Sequence, residues 1–272
     1  MVHKVVNGDG VPIDPRSAVV PILKEISKGK LSVVGTGFYI SRYGLFLTAK
    51  HVLDELVLGN KKEIGVGYIC HSANNETVHL RRILSVSLLE PADLAVGQSD
   101  TYESKYPDDP LMNMRCGLSI REPSEGEELV TYAYPLNEVL DFTDKSNDPV
   151  ISSNFYNGVF LHTLGSTERP YIQYPHYEAS IEIKSGASGG PVFSKGKVIG
   201  VNCRGWDFGD GIDKKDHLSS IVPIKELLEM KLGHLTVPKI SWEFNQIPED
   251  CNPTNLTMSE LVRFGHVVLH EE

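Results

Sequence analysis

The sequence predicts an all-β protein. Three observations carry that expectation. Short segments alternate apolar and small or polar residues at a period of two, as in Ile64-Gly65-Val66-Gly67-Tyr68, the pattern of a half-buried strand. Clusters of Gly, Pro, Asn and Asp separate these segments at short intervals, and many short strands joined by such turns indicate β architecture. Helical spacing is confined to two late stretches, Pro223–Lys231 and a segment from Ser259.

Taken in order, residues 1–16 are polar and hold Gly8, Gly10, Pro12 and Pro15, which predicts a loose or clipped-on arm. Ser17–Leu23 is apolar around Pro21, and a proline is expected on an edge strand because it donates no ladder hydrogen bond. Leu31–Ile40 and Leu45–Thr48 read as a hairpin across Ser41–Gly44. Glu63–Cys70, Val78–Leu89 and Asp93–Val96 complete a first lobe. Residues 97–115, with Pro107-Asp108-Asp109-Pro110, read as loop. The acidic run Glu122–Glu128 reads as a solvated turn.

Leu129–Tyr134 opens a second lobe. Residues 136–157 form a long polar connection, then Val159–Leu164, Tyr171–Ile183, Pro191–Phe193, Val198–Cys203 and Leu218–Ile224 read as strands. The expected boundaries are an arm at 1–16, a first lobe at 17–128, a second lobe at 129–235 and an extension at 236–272. The extension holds Trp242 and Phe244.

Bulk properties exclude several function classes. The 272 residues suffice for one two-lobed domain with ample core. A formal net charge of −10 argues against nucleic acid as a main partner, because phosphate binding needs a basic surface. No run of eighteen apolar residues occurs, so no membrane span is expected. The first residues lack the apolar core of a signal peptide, and a cytoplasmic setting is expected. The four cysteines, Cys70, Cys116, Cys203 and Cys251, make no zinc pattern and are expected as reduced thiols.

The chemistry concentrates in Ser185-Gly186-Ala187-Ser188-Gly189-Gly190-Pro191-Val192-Phe193. Glycines around Ser188 permit a sharp turn that presents the hydroxyl and aims backbone N–H groups at one point. A serine needs a histidine as base, and that histidine needs an acid to fix its tautomer. Among ten histidines, His51 follows a strand in Leu45-Phe46-Leu47-Thr48-Ala49-Lys50-His51, after Gly35-Thr36-Gly37-Phe38. Asp93 stands at the mouth of the short apolar strand in Pro91-Ala92-Asp93-Leu94-Ala95-Val96. Gly186-Ala187-Ser188-Gly189-Gly190 also fits the nucleophile elbow of α/β-hydrolases. That elbow needs a helix directly after the serine, and Gly-Gly-Pro is a poor helix start.

The three pieces together resemble the chymotrypsin/trypsin-like serine protease family, above all its intracellular and bacterial HtrA-like branch. The order His51, Asp93, Ser188 and the separations between them are those of that family. The resemblance covers about residues 17 to 230. It implies two six-stranded antiparallel β-barrels, followed here by a short C-terminal helix and an extension too short for a PDZ domain. It implies a serine endopeptidase acting on intracellular proteins or peptides, with no metal or cofactor. His51, Asp93 and Ser188 would form the triad, and the N–H groups of Gly186 and Ser188 the oxyanion hole.

By the same resemblance Cys203, Arg204 and Gly205 would lie along the substrate, and Glu182 near the base of its side-chain pocket, favouring Lys or Arg. The alternation Ile181-Glu182-Ile183-Lys184 equally allows Glu182 to face solvent. Secreted relatives carry Asp before the nucleophile, where Ala187 stands, and cysteine after the histidine, where Val52 stands. The oxyanion turn therefore needs support from elsewhere: a loop, the tail or an activating partner. A latent protease-like scaffold and an esterase on the same fold are the competing function classes.

Overall fold

A computed structural model describes residues 5–41, 44–54, 56, 67–73, 77–89, 92–100, 115–134, 139–143, 151–208, 216–228, 230–232 and 256–271. The expected strand start at Glu63, most of the loop 97–115, and Trp242 and Phe244 lie outside these residues. The strands are β1 (Val5–Val6), β2 (Pro12–Ile13), β3 (Val19–Ser27), β4 (Lys30–Tyr39), β5 (Leu45–Thr48), β6 (Gly67–Ala73), β7 (Thr77–Leu89) and β8 (Leu94–Ser99). They continue with β9 (Leu118–Ser119), β10 (Glu128–Ala133), β11 (Val139–Asp141), β12 (Asn154–Leu164) and β13 (His176–Ala179). The series ends with β14 (Pro191–Ser194), β15 (Lys197–Phe208), β16 (Asp216–Pro223) and β17 (Leu269–His270). Helices are α1 (Lys50–Asp54) and α2 (Met258–Arg263), with 3-10 turns at Pro15–Ser17 and Ile224–Leu227.

Two sheets close on themselves. In the first the order is β4-β3-β6-β7-β8-β5, and β5 pairs back onto β4. In the second the order is β14-β10-β12-β13-β16-β15, and β15 pairs back onto β14. Both rings are antiparallel and six-stranded, as expected. Closure removes the unpaired strand edges that an open sheet would expose. Phe38, Phe46, Leu47, Ile22, Leu94 and Val96 fill the first barrel and are fully buried. Leu129, Phe160, Tyr177, Ile181, Val192, Ile199 and Ile221 fill the second, where the Phe160 and Tyr177 rings meet edge to face at 5.4 Å.

Several elements differ from the sequence expectation. Pro21 lies within β3, a strand bonded on both sides, rather than on an edge. The cost is small because pairing with β6 spans only Ile22–Lys24, beyond the proline. The polar connection 136–157 contains β11, which extends the first sheet through β4, and the first residues of β12. Three residues give too little alternation to read: Val139 is exposed and Leu140 buried. The expected strand Tyr171–Ile183 shortens to β13, because Pro170-Tyr171 forms a turn closed by the Ile172 N–H to Arg169 carbonyl bond. The amphipathic stretch at Pro223 forms a single 3-10 turn with Ile224 and Leu227 buried.

Both ends of the chain pack back. The Val6 N–H donates to the Gly196 carbonyl, and the Gly117 N–H donates to Val6. In the extension, Thr257 and Glu260 form a capping box at the start of α2. Leu256, Met258, Leu261 and Val267 join the main core, and β17 runs parallel to β9. Among the described residues no helix is long and apolar enough to cross a membrane.

Part of the acidic turn is pinned rather than solvated. Glu127 accepts from Arg121 and from the Ser194 hydroxyl of β14, while Arg121 Nη2 reaches Ser194 Oγ at 2.6 Å. Burial pushes the Glu127 carboxyl up, but these hydrogen bonds outweigh it and bring it down from 4.5 to about 2. A carboxyl lowered in the folded state contributes stability that is complete above its unfolded value of 4.5 and is lost progressively as pH falls from there through about 2. Glu127→Gln is therefore expected to flatten the fall in urea midpoint between pH 7 and pH 3. An unchanged pH dependence would show that the clasp contributes nothing.

Candidate active site

Strand register brings His51 and Asp93 together. In the antiparallel pair β5–β8, Thr48 lies opposite Ala95. Continuing past both strand ends places residue 50 opposite residue 93, and the Lys50 N–H donates to the Asp93 carbonyl at 3.2 Å. The chain then turns into α1, with His51 in its first turn. The His51 N–H donates to Asp93 Oδ1 at 3.1 Å, and His51 Nδ1 lies 2.8 Å from Asp93 Oδ2. An ionised carboxylate only accepts, so Nδ1 carries a proton, and in the neutral ring the lone pair is on Nε2.

Asp93 is 13% exposed and His51 44%, so the acid sits beneath and the imidazole above it. Burial pushes the Asp93 carboxyl up, but the bonds and charge of His51 and the nearby Arg204 hold it below the usual range. Asp93 thus stays ionised while the ring remains reachable.

Ser188 sits in the turn between Ile183 and β14. Gly186 has φ +97° and Gly189 φ +84°, a backbone region that side chains resist. At Gly189 a Cβ would also lie 2.0 Å from Thr48 Oγ1 and 2.2 Å from the Thr36 carbonyl. The turn is held from two sides. From β4, the Thr36 N–H donates to the Ser188 carbonyl at 2.9 Å and Thr36 Oγ1 donates to the Gly186 carbonyl at 2.8 Å. From β15, the Asn202 carbonyl accepts the Gly189 N–H at 2.7 Å, and Asn202 Nδ2 donates to the Ala187 carbonyl at 3.3 Å. The N–H groups of Ala187, Gly189 and Gly190 are all engaged. Those of Gly186 and Ser188 make no hydrogen bond among the described residues.

The Ser188 hydroxyl donates to the Cys203 carbonyl at 3.4 Å, and no hydrogen bond joins it to His51 among the described residues. A Cβ added at Gly35 would meet both the Val52 side chain, one residue after His51, and the Ser188 carbonyl. Cys203 also ties the site to the acid, its Sγ donating to the Asp93 carbonyl at 3.2 Å. Burial pushes this thiol far above its ordinary range, so it stays a neutral donor.

Arg204 and Gly205 are exposed on β15. That strand pairs with β16 along this stretch, and its opposite edge is unpaired among the described residues. Glu182, expected near the base of a substrate pocket or else facing solvent, lies at the surface. Ile181 and Ile183 pack inward, which turns Glu182 outward, 57% exposed with its carboxylate 3.7 Å from His217 Nε2.

Sequence reasoning missed Thr36, Asn202 and Tyr174. Thr36 stood in view inside Gly35-Thr36-Gly37, but its partners lie far along the chain. Tyr174 is buried beside Asp93, Cys203 and Arg204. Burial, then Cys203 and Asp93, push its hydroxyl well above the usual range. Gly189→Ala is expected to dislodge the turn and to lower stability by about 1–3 kcal/mol, the usual range for overpacking. Thermal unfolding checks this, and an unchanged midpoint would mean that the turn has room to shift.

The chain matches the trypsin-like peptidase domain family over residues 35–201, a span that includes His51, Asp93 and Ser188. No curated protein matches it. Among solved structures it is similar to Deg5, with 18% identity, a TM-score of 0.54 and coverage of 83% of this chain and 89% of that one. It is also similar to the active form of the Rv3671c protease from M. tuberculosis, with 18% identity, a TM-score of 0.48 and coverage of 78% of each chain. The Deg5 likeness concerns the fold. The family match spans well over half the chain, from the first barrel through the strand after Ser188, and the protein belongs to the trypsin-like peptidase domain family.

Proposed function

We propose that the protein is a serine endopeptidase that cleaves peptide bonds of intracellular proteins through Ser188, His51 and Asp93. The observation that carries the reading is the pairing of a fixed His51 tautomer with two unengaged N–H groups in the Ser188 turn. Rotation of the Ser188 side chain releases its long bond to Cys203 and offers the proton to His51 Nε2. The hydroxyl oxygen attacks the substrate carbonyl carbon, and the carbonyl electron pair moves onto oxygen. The N–H groups of Gly186 and Ser188 receive that oxyanion, each contributing about 3 kcal/mol in typical cases. His51 then gives the proton to the leaving amine, and the acyl group stays on Ser188 until water repeats the sequence.

The open edge of β15 at Arg204 and Gly205 suits an extended substrate segment, which would add as a strand. With Glu182 at the surface, no preference for Lys or Arg is expected from it. A cytoplasmic setting belongs to the same reading. One observation favours a second reading, a latent scaffold: the Ser188 hydroxyl rests on Cys203 and not on His51.

A fluorophosphonate probe separates the two. Labelling of the purified chain, lost in Ser188→Ala, is the expected result. A folded wild-type chain that does not label would establish the scaffold reading instead. Turnover of a peptide amide, beyond a simple ester, would distinguish a peptidase from an esterase.

A further inference from the structure

The Ser188 turn has no acidic residue before the nucleophile to anchor it, because Ala187 stands there and is buried. The turn is nonetheless held at the carbonyls of Gly186 and Ser188 by Thr36 from β4, and at those of Ala187 and Gly190 by Asn202 from β15. Thr36 is completely buried on β4, in the other barrel. Its N–H fixes the Ser188 carbonyl and its hydroxyl fixes the Gly186 carbonyl. The same hydroxyl accepts the Tyr134 N–H at 3.0 Å, where the chain leaves β10. The Thr36 carbonyl in turn accepts from Thr48 Oγ1 at 2.7 Å, two residues before α1 and its His51. One side chain therefore joins β4, the end of β10 and the active-site turn.

We propose that Thr36 is a positioning residue that holds the oxyanion turn in its competent form, so that the isolated chain needs no activating partner. The inference rests on the peptidase reading above. Fixing the carbonyls of Gly186 and Ser188 restricts both residues on their C-terminal side. Their N–H groups are left as unengaged donors, and the positive φ of Gly186 is maintained. Replacing the hydroxyl by a methyl keeps the volume but strands two buried backbone groups, the Tyr134 N–H and the Gly186 carbonyl. Buried unpaired groups drive local rearrangement, and the Gly186 carbonyl that loses its donor lies within the turn itself. Thr36 touches no substrate, so its effect falls on kcat and on the rate of acylation, not on KM.

The experiment compares the full purified chain with Thr36→Val and Thr36→Ser. It reads the rate of fluorophosphonate labelling at Ser188 and the kcat and KM for a peptide ester, with the unfolding midpoint measured alongside. Thr36→Val is expected to slow labelling and kcat by about 10–100-fold, below the roughly 100–1,000-fold of removing an oxyanion donor outright, with KM within about twofold. Thr36→Ser, which keeps the hydroxyl, is expected to stay within about threefold of wild type. Should the valine variant not fold, Thr36→Ser against Thr36→Cys gives the same comparison, because a thiol is a weak donor. Valine labelling at the wild-type rate, or equal serine and cysteine rates, overturns the positioning role while the peptidase reading stands. A wild-type chain that does not label at all defeats both.

Discussion

The hydrogen bonds from Thr36 to the Ser188 turn are the contact on which the site depends. They cross from one barrel to the other, so Ser188 and His51 are fixed to a common strand region. Thr36 precedes the Phe38–Leu47 pairing that joins β4 to β5, and β5 leads directly to α1 and His51. The turn bearing Ser188 thus takes its position from the barrel that carries His51. Gly189 is the complement of this contact, because only a residue without a Cβ allows the turn to approach Thr36 and Thr48 so closely. Tyr134 adds a second tie, its hydroxyl donating to the Val19 carbonyl at 2.9 Å. The interface between the barrels is held at several buried points, where water does not compete for these bonds.

The acid–base pair follows from a different constraint, the register of β5 against β8. An antiparallel pair places residues just past one strand end opposite residues just before the other. His51 and Asp93 occupy those places, and three hydrogen bonds between residues 50–51 and Asp93 lock the arrangement. Cys203 then connects the acid to the serine turn through its thiol and its carbonyl. The proposed catalytic groups come from three segments. Each is held by backbone bonds of its neighbours rather than by the catalytic side chains alone.

Much of this was legible in the sequence. The all-β class showed in alternation and turn residues, the two barrels followed from the family resemblance, and Ser188, His51 and Asp93 stood in recognisable local contexts. What escaped was set by distant partners. Thr36 and Asn202 look like ordinary strand residues until the turn is folded against them. The β11 strand is too short to show a period, and Pro21 misled because its local meaning was overridden by where pairing with β6 begins. Glu182 had two open readings, and packing of Ile181 and Ile183 decided for solvent. The extension was legible as a helix but not as a contributor to the core, since that depends on the surface it meets.

A self-supported turn means that nearly every folded chain is competent at once. Burst titration of the purified monomer with a chromogenic active-site ester measures that fraction directly, since acyl-enzyme accumulation releases product in the first turnover. A burst of about one equivalent per folded chain, with no other protein added, is expected. A burst near zero that rises only when a second protein is supplied would contradict it, and would show that the turn seen against Thr36 is not the working one.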